Sequence, residues 1–162
     1  MMSVSDNTAT DLLFERVGKA RVDATMDRLG LPSIRAPFDI REMLMELVDL
    51  DHSKPGGYEE LGRLLELIES RAILDADACG AIIELMKRIQ SGARIPGLLP
   101  KGTVVAHKTG SYRRLRNDVG IVYAPNGPYA VALFARELPR DNIEDDETLA
   151  RISLAIYEEF AG

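Results

Sequence analysis

The chain has few of the residues that usually announce chemistry: in 162 positions there are one cysteine, two histidines and no tryptophan, and aromatics make up 6%. Cys79 stands alone and cannot form an internal disulfide, which excludes a disulfide-stapled scaffold and leaves it the role of a helix-core residue. His52 and His107 have no Cys or His partner at a metal-ligand spacing, so no metal and no cofactor is assigned. An excess of basic residues is also missing: the formal net charge is −6, which argues against a nucleic-acid binder, whose affinity rests on clustered Lys and Arg. No apolar run approaches the ~20 residues that span a bilayer. The start Met1-Met2-Ser3-Val4 has no charged, apolar or cleavage region of an export signal, so the chain as written reads as cytoplasmic. What is present, 46% hydrophobic and 28% charged residues, is the profile of one globular domain.

The pattern along the chain divides it into a helical part, residues 1–100, and a sheet part, 101–162. Leu12, Leu13 and Val17 recur at helical spacing, and Val22, Met26 and Leu29 repeat it before Gly30 and Pro32. Met43, Leu44, Leu47 and Val48 predict a further helix, ended by the loop signal from Asp51 to Gly57. Tyr58, Leu61, Leu65 and Ile68 share one helical face, as do Ile82, Leu85, Met86 and Ile89. After Pro96-Gly97 and Lys101-Gly102, β-branched residues predict strands over 103–108, 118–123 and 129–136, the last two joined at Asn126-Gly127 by a positive-φ hairpin turn. Leu149, Ile152, Ile156 and Phe160 form the stripe of a closing helix. The expected class is therefore α+β.

Two tripeptides carry the functional signal. Lys108-Thr109-Gly110 sits at the end of the β-like run Thr103 to His107, about a hundred residues downstream of Ser5-Asp6-Asn7, which opens a helical stretch. Alone, the first is an edge strand protected by a lysine and the second a helix N-cap. Their order, separation and context, with Leu99-Pro100-Lys101-Gly102 before the strand and Asn117-Asp118-Val119-Gly120-Ile121-Val122 after it, resemble two of the three motifs of the penicillin-recognising serine hydrolases. These are the class A β-lactamases and penicillin-binding proteins. The third motif, Ser-x-x-Lys, is absent, because no serine of the chain is followed three residues later by Lys.

The resemblance implies a β-lactamase/transpeptidase-like fold and a cleft for a β-lactam or a peptidoglycan-like peptide bearing a carboxylate. Lys108 and the Thr109 hydroxyl would hold that carboxylate by charge-assisted hydrogen bonds. Gly110 would let the substrate lie along the strand, so that the backbone N–H of Ser111 points at the developing oxyanion. Ser5 would relay a proton to the leaving nitrogen, Asn7 would bind the substrate's amide side chain, and Asp6 would hold the turn together. Arg113, Arg114 and Arg116 follow on the same hairpin, and Arg116 falls where several class A enzymes place a second carboxylate-binding arginine.

Two departures qualify that picture. The Glu-x-x-Leu-Asn string that activates the deacylating water in class A enzymes is missing between Leu31 and Tyr58, where Asp39 and Glu42 are the nearest carboxylates. This favours a peptidase, an esterase-like hydrolase or a slow penicillin binder over an efficient β-lactamase. The missing nucleophile and export signal together suggest an N-terminally truncated domain whose full-length relatives are exported. The alternative is a short non-catalytic paralogue that binds a carboxylate ligand or a partner protein through the same cleft. In the family two N-terminal strands complete the sheet beside the strand from Tyr129 to Arg136. Without them, the expectation is a homodimer that pairs open edges, or aggregation, and not a stable monomer.

Overall fold

The computed structural model describes residues 1–35, 57–112, 114–138 and 143–161. The helix expected around Met43 to Val48 and its following loop lie outside these residues, as do Asp39, Glu42 and Arg113.

Asp6 starts the first helix: its Oδ1 accepts the Ala9 amide at 2.6 Å, satisfying one of the free donors of a first turn. Helix α1 runs Asn7–Val17 and α2 runs Lys19–Arg28, broken apart at Gly18 with φ 80°. Helix α3, Gly57–Glu69, is joined to residues 33 and 34 by Glu60, whose carboxylate accepts both their amides. Helix α4, Ala76–Met86, is capped by Asp75 through the Ala78 amide. The strands β1 Val104–Tyr112, β2 Leu115–Ala124 and β3 Gly127–Ala135 form an antiparallel meander in that order, and α5, Ile143–Ala161, closes the chain.

Strand alternation gives the sheet two buried faces. Toward α3 and α4, Ala106 and Ile121 pack with Leu65, Ile68, Ile83 and Met86. Toward α5, Val122, Tyr129, Val131 and Leu133 pack with Leu149, Tyr157 and Ile95. Each fully buried aliphatic contributes about 1.5–3 kcal/mol, so these two layers hold the described fold together. Cys79 lies in the interior of α4, fully buried.

Several boundaries differ from the sequence pattern. Pairing between β1 and β2 continues past Gly110 to Tyr112 opposite Leu115, so Lys108-Thr109-Gly110 is within a strand and not at its end. The hairpin carries its charged residues because an edge strand accepts charge on its open side. At the second hairpin Ala124 pairs with Gly127, which puts Pro125 and Asn126 at the turn's centre and the positive φ of 123° on Gly127. Proline's fixed φ suits the first central position, and the Asn126 side chain instead donates to the Phe160 carbonyl. In α5 the buried face is Leu149, Ala150, Ser153 and Tyr157, while Ile152 and Phe160 are about half exposed. Ser153 takes a core position because its hydroxyl donates to the Ile95 carbonyl at 2.9 Å. Helices α1 and α2 contain no buried residue, and Leu12, Leu13 and Val17 lie exposed.

Candidate active site

Ser5 ends a short 3₁₀ turn, Met2–Val4, and adopts a left-handed conformation with φ 51° before Asp6 begins α1. That reversal points its hydroxyl at the sheet. Lys108, on the helix-facing side of β1, reaches across and donates to Ser5 Oγ at 2.5 Å and to the Thr109 carbonyl at 2.6 Å. Burial, with the nearby Arg94 charge adding to it and Asp118 opposing, holds the Lys108 ammonium below its ordinary pKa. A lysine so placed is readier to surrender a proton than a solvated one.

Around this contact is an open cleft of about 910 Å³ between the N-terminal turn and β1, walled by Ser5, Asn7, Thr10, Gln90 and Lys108 through Ser111 among others. The structure thus brings together Ser5, Asn7, Lys108, Thr109, Gly110 and Ser111. Asp6 sits behind them as the cap of α1. At Gly110 an added Cβ would make only ordinary contact with Asn117, so the fold itself does not demand glycine; the open side faces the cleft. Arg116 is turned away, its Nε 3.7 Å from Asp146 on α5, and it does not line the cleft. Arg114 donates to the carbonyls of Glu137 and Leu138.

Sequence reasoning missed the support behind the strand. Arg94, only 4% exposed, donates to the carbonyls of Gly110 at 2.9 Å and Asn117 at 2.7 Å, to Ser111 Oγ at 2.5 Å, and pairs with Asp146 at 2.6 Å. Its planar fork bridges β1, β2 and α5 in a way that a lysine could not. Next to it, the fully buried Asp118 accepts from His107 Nδ1 at 2.9 Å and from the Ile95 amide at 3.0 Å. Gly120 makes room for that histidine, since a Cβ there would come within 2.6 Å of His107 Cβ and the Ala106 carbonyl. A lone arginine in a Pro/Gly-rich stretch looks solvated in sequence, and nothing local marks its burial.

The model of the Beta-lactamase enzyme family matches residues 1–160. The chain belongs to that family. It is 28% identical over 97% of its length to the extended-spectrum beta-lactamase PER-1 of Pseudomonas aeruginosa, and 29% identical over 97% to a beta-lactamase of Bacteroides uniformis. It spans 54% and 56% of those two proteins. Among solved structures it superposes on the TLA-1 extended-spectrum beta-lactamase with a TM-score of 0.82 at 27% identity, covering 98% of this chain and 60% of that one. On PBP-A the TM-score is 0.83 at 26% identity, covering 99% and 58%. The fold is accordingly a part of the β-lactamase/transpeptidase fold, with its α+β class.

No helix among the described residues is long and apolar enough to cross a membrane, and no group of three or more His, Cys, Asp or Glu is placed to hold a metal there.

Proposed function

We propose that this chain is the carboxylate-binding and proton-relaying part of a β-lactamase-like serine hydrolase, acting through serine acylation on a β-lactam or a peptidoglycan-type amide. The observation that carries this reading is the hydrogen bond from Lys108 to Ser5, which joins two motifs 103 residues apart at the floor of one cleft. A substrate carboxylate would sit over Lys108 and the Thr109 hydroxyl, with its amide side chain against Asn7. The Ser111 amide would stabilise the oxyanion. The attacking hydroxyl would come from a Ser-x-x-Lys segment that these 162 residues do not contain. As its oxygen bonds to the carbonyl carbon and the C–N bond breaks, the proton it loses would pass through the lysine of that segment to Ser5, Ser5 would give its own proton to the leaving nitrogen, and Lys108 would keep its charge on the substrate carboxylate. Arg94 would hold the β1 wall in place, and Arg116 would add positive field from behind.

The chain by itself is expected to release no product from a chromogenic cephalosporin, because it lacks the nucleophile. Turnover that disappears in Ser5→Ala would mean that another residue attacks, and would overturn these roles. In a protein completed by an upstream Ser-x-x-Lys segment, Lys108→Ala should slow acylation by penicillin roughly 30- to 1,000-fold, about 2–4 kcal/mol. Arg116→Ala should cost less. Because the Lys108 cation is lost as pH rises through its lowered pKa, penicillin acylation should fall at a pH below the ordinary lysine value of 10.5. An unchanged rate in Lys108→Ala would favour the alternative, a cleft that binds a partner without catalysis.

A further inference from the structure

Lys108 is set apart from the lysines of the helices. Lys19 and Lys87 are ion-paired, with Asp23 at 3.1 Å and with Glu84 at 2.8 Å. Among the described residues Lys108 has no carboxylate within ion-pair distance, and its two partners are neutral acceptors, Ser5 Oγ at 2.5 Å and the Thr109 carbonyl at 2.6 Å. Asp118 on the neighbouring strand is turned to His107 and the Ile95 amide. Two acceptors take up both N–H bonds of a neutral amine, whereas an ammonium brings a third proton with no acceptor among the described residues. The amine is thus satisfied where it stands and keeps a lone pair to spare. Lys108 lines the open cleft, so a small molecule can reach it.

We propose that Lys108 is an amine nucleophile for small 2-oxo carboxylic acids, which it holds in the cleft as an imine. This activity does not rest on the serine acylation proposed above and needs no residue from outside the chain. The Nζ lone pair bonds to the keto carbon while the π pair of its C=O moves to oxygen, and one proton passes from nitrogen to that oxygen. The oxygen then leaves as water, carrying away both hydrogens of the amine, and a C=N bond remains. Nothing is oxidised or reduced. Ser5 Oγ, already accepting from Nζ at 2.5 Å, is the group that carries these protons from nitrogen to the departing oxygen.

The acid group of the ligand is what selects it among carbonyl compounds. The Thr109 hydroxyl and the Asn7 amide line the same cleft, and Arg94 adds positive charge behind β1. A plain ketone finds none of that attraction. Two charges bear on Nζ, Arg94 and Asp118, beside the neutral Ser5 and Thr109. Burial lowers the Lys108 pKa, Asp118 opposes it and Arg94 adds to it, so that the amine form appears at lower pH than in a solvated lysine. The same titration acts with opposite sign on the two chemistries: the amine gains reactivity as pH rises, while a cation that binds carboxylate is lost.

Equilibration of the chain with pyruvate, followed by reduction with sodium borohydride and peptide mass mapping, tests this. The first N-alkyl group should map to Lys108, with the exposed Lys101, the paired Lys19 and Lys87 and the Met1 α-amine labelled several-fold more slowly. Acetone in place of pyruvate should label Lys108 no faster than Lys101. The rate at Lys108 should climb with pH to a half-maximum below 10.5. Lys108→Arg keeps the charge but cannot form the imine, and should lose this first label with an unchanged circular dichroism spectrum. Ser5→Ala should keep the site of labelling and slow it. Should the arginine variant fail to fold, the map of the parent chain decides alone. Label spread evenly over the exposed amines, or led by Met1, overturns the proposal. So does a Lys108 that takes acetone as fast as pyruvate. Each of those results leaves the acylation reading standing, since that reading is decided by penicillin and not by an oxo acid.

Discussion

The two walls of the cleft are built in opposite ways. On the Lys108 side, β1 is backed by buried polar groups: Arg94 holds the Gly110 and Asn117 carbonyls, while Asp118, His107, Ile95 and Ser153 satisfy one another between the sheet and α5. On the Ser5 side, α1 and α2 contain no fully buried residue. The turn before them is held by Met2 against the α4 layer, by the Gln90 amide donating to the Ser3 carbonyl, and by Lys108 itself. The Lys108 wall is thus preorganised by its own chain, while the Ser5 wall opposite depends on a few contacts. Under the proposed acyl transfer the first would fix the substrate and the second would follow the reaction.

The largest expected effect that would break this contrast is on the backed wall. Asp118→Ala leaves the His107 ring and the Ile95 amide without an acceptor in a dry interior, and should lower stability by about 3–5 kcal/mol in urea unfolding. A loss below 1 kcal/mol would mean that the network is not what holds β1. An intermediate effect belongs to the cap of α1. Asp6→Ala should cost that helix about 1 kcal/mol, seen as faster hydrogen exchange in residues 7–17. The global unfolding midpoint should not move, because α1 contributes no fully buried residue to the core. The smallest effect sharpens the same point: Leu12→Ala, at 62% exposure, should change stability by less than about 0.5 kcal/mol. A substantial loss there would show that the α1 face is covered in solution.

How legible all this was depends on how local the cause is. The helix cap at the Ser5-Asp6-Asn7 turn, the strand run from Thr103 and the shared helical face of Leu65 and Ile68 follow from residues close together in sequence, and these could be read directly. The joint placement of Ser5 and Lys108 was reachable through the two tripeptides. Arg94 was not, since its partners lie 16, 17, 23 and 52 residues away and its burial is decided by α5. The outward turn of Ile152 was hidden for a related reason: a serine bonded to a distant carbonyl displaces an apolar stripe that helical period alone would place inward.

The bond between Lys108 and Ser5 also sets an order of events. The β1–β2–β3 meander joins strands adjacent in sequence and can zip from its turns, whereas this bond waits for 103 residues of chain. At ~5–20 residues per second of synthesis, Ser5 is added to the chain roughly 5–20 seconds before its lysine. During that interval α1 and α2, with their exposed leucines, wait for the sheet wall that faces them across the cleft. Any factor that shields nascent apolar surface has its longest opportunity at the wall of the cleft that the finished fold holds least tightly.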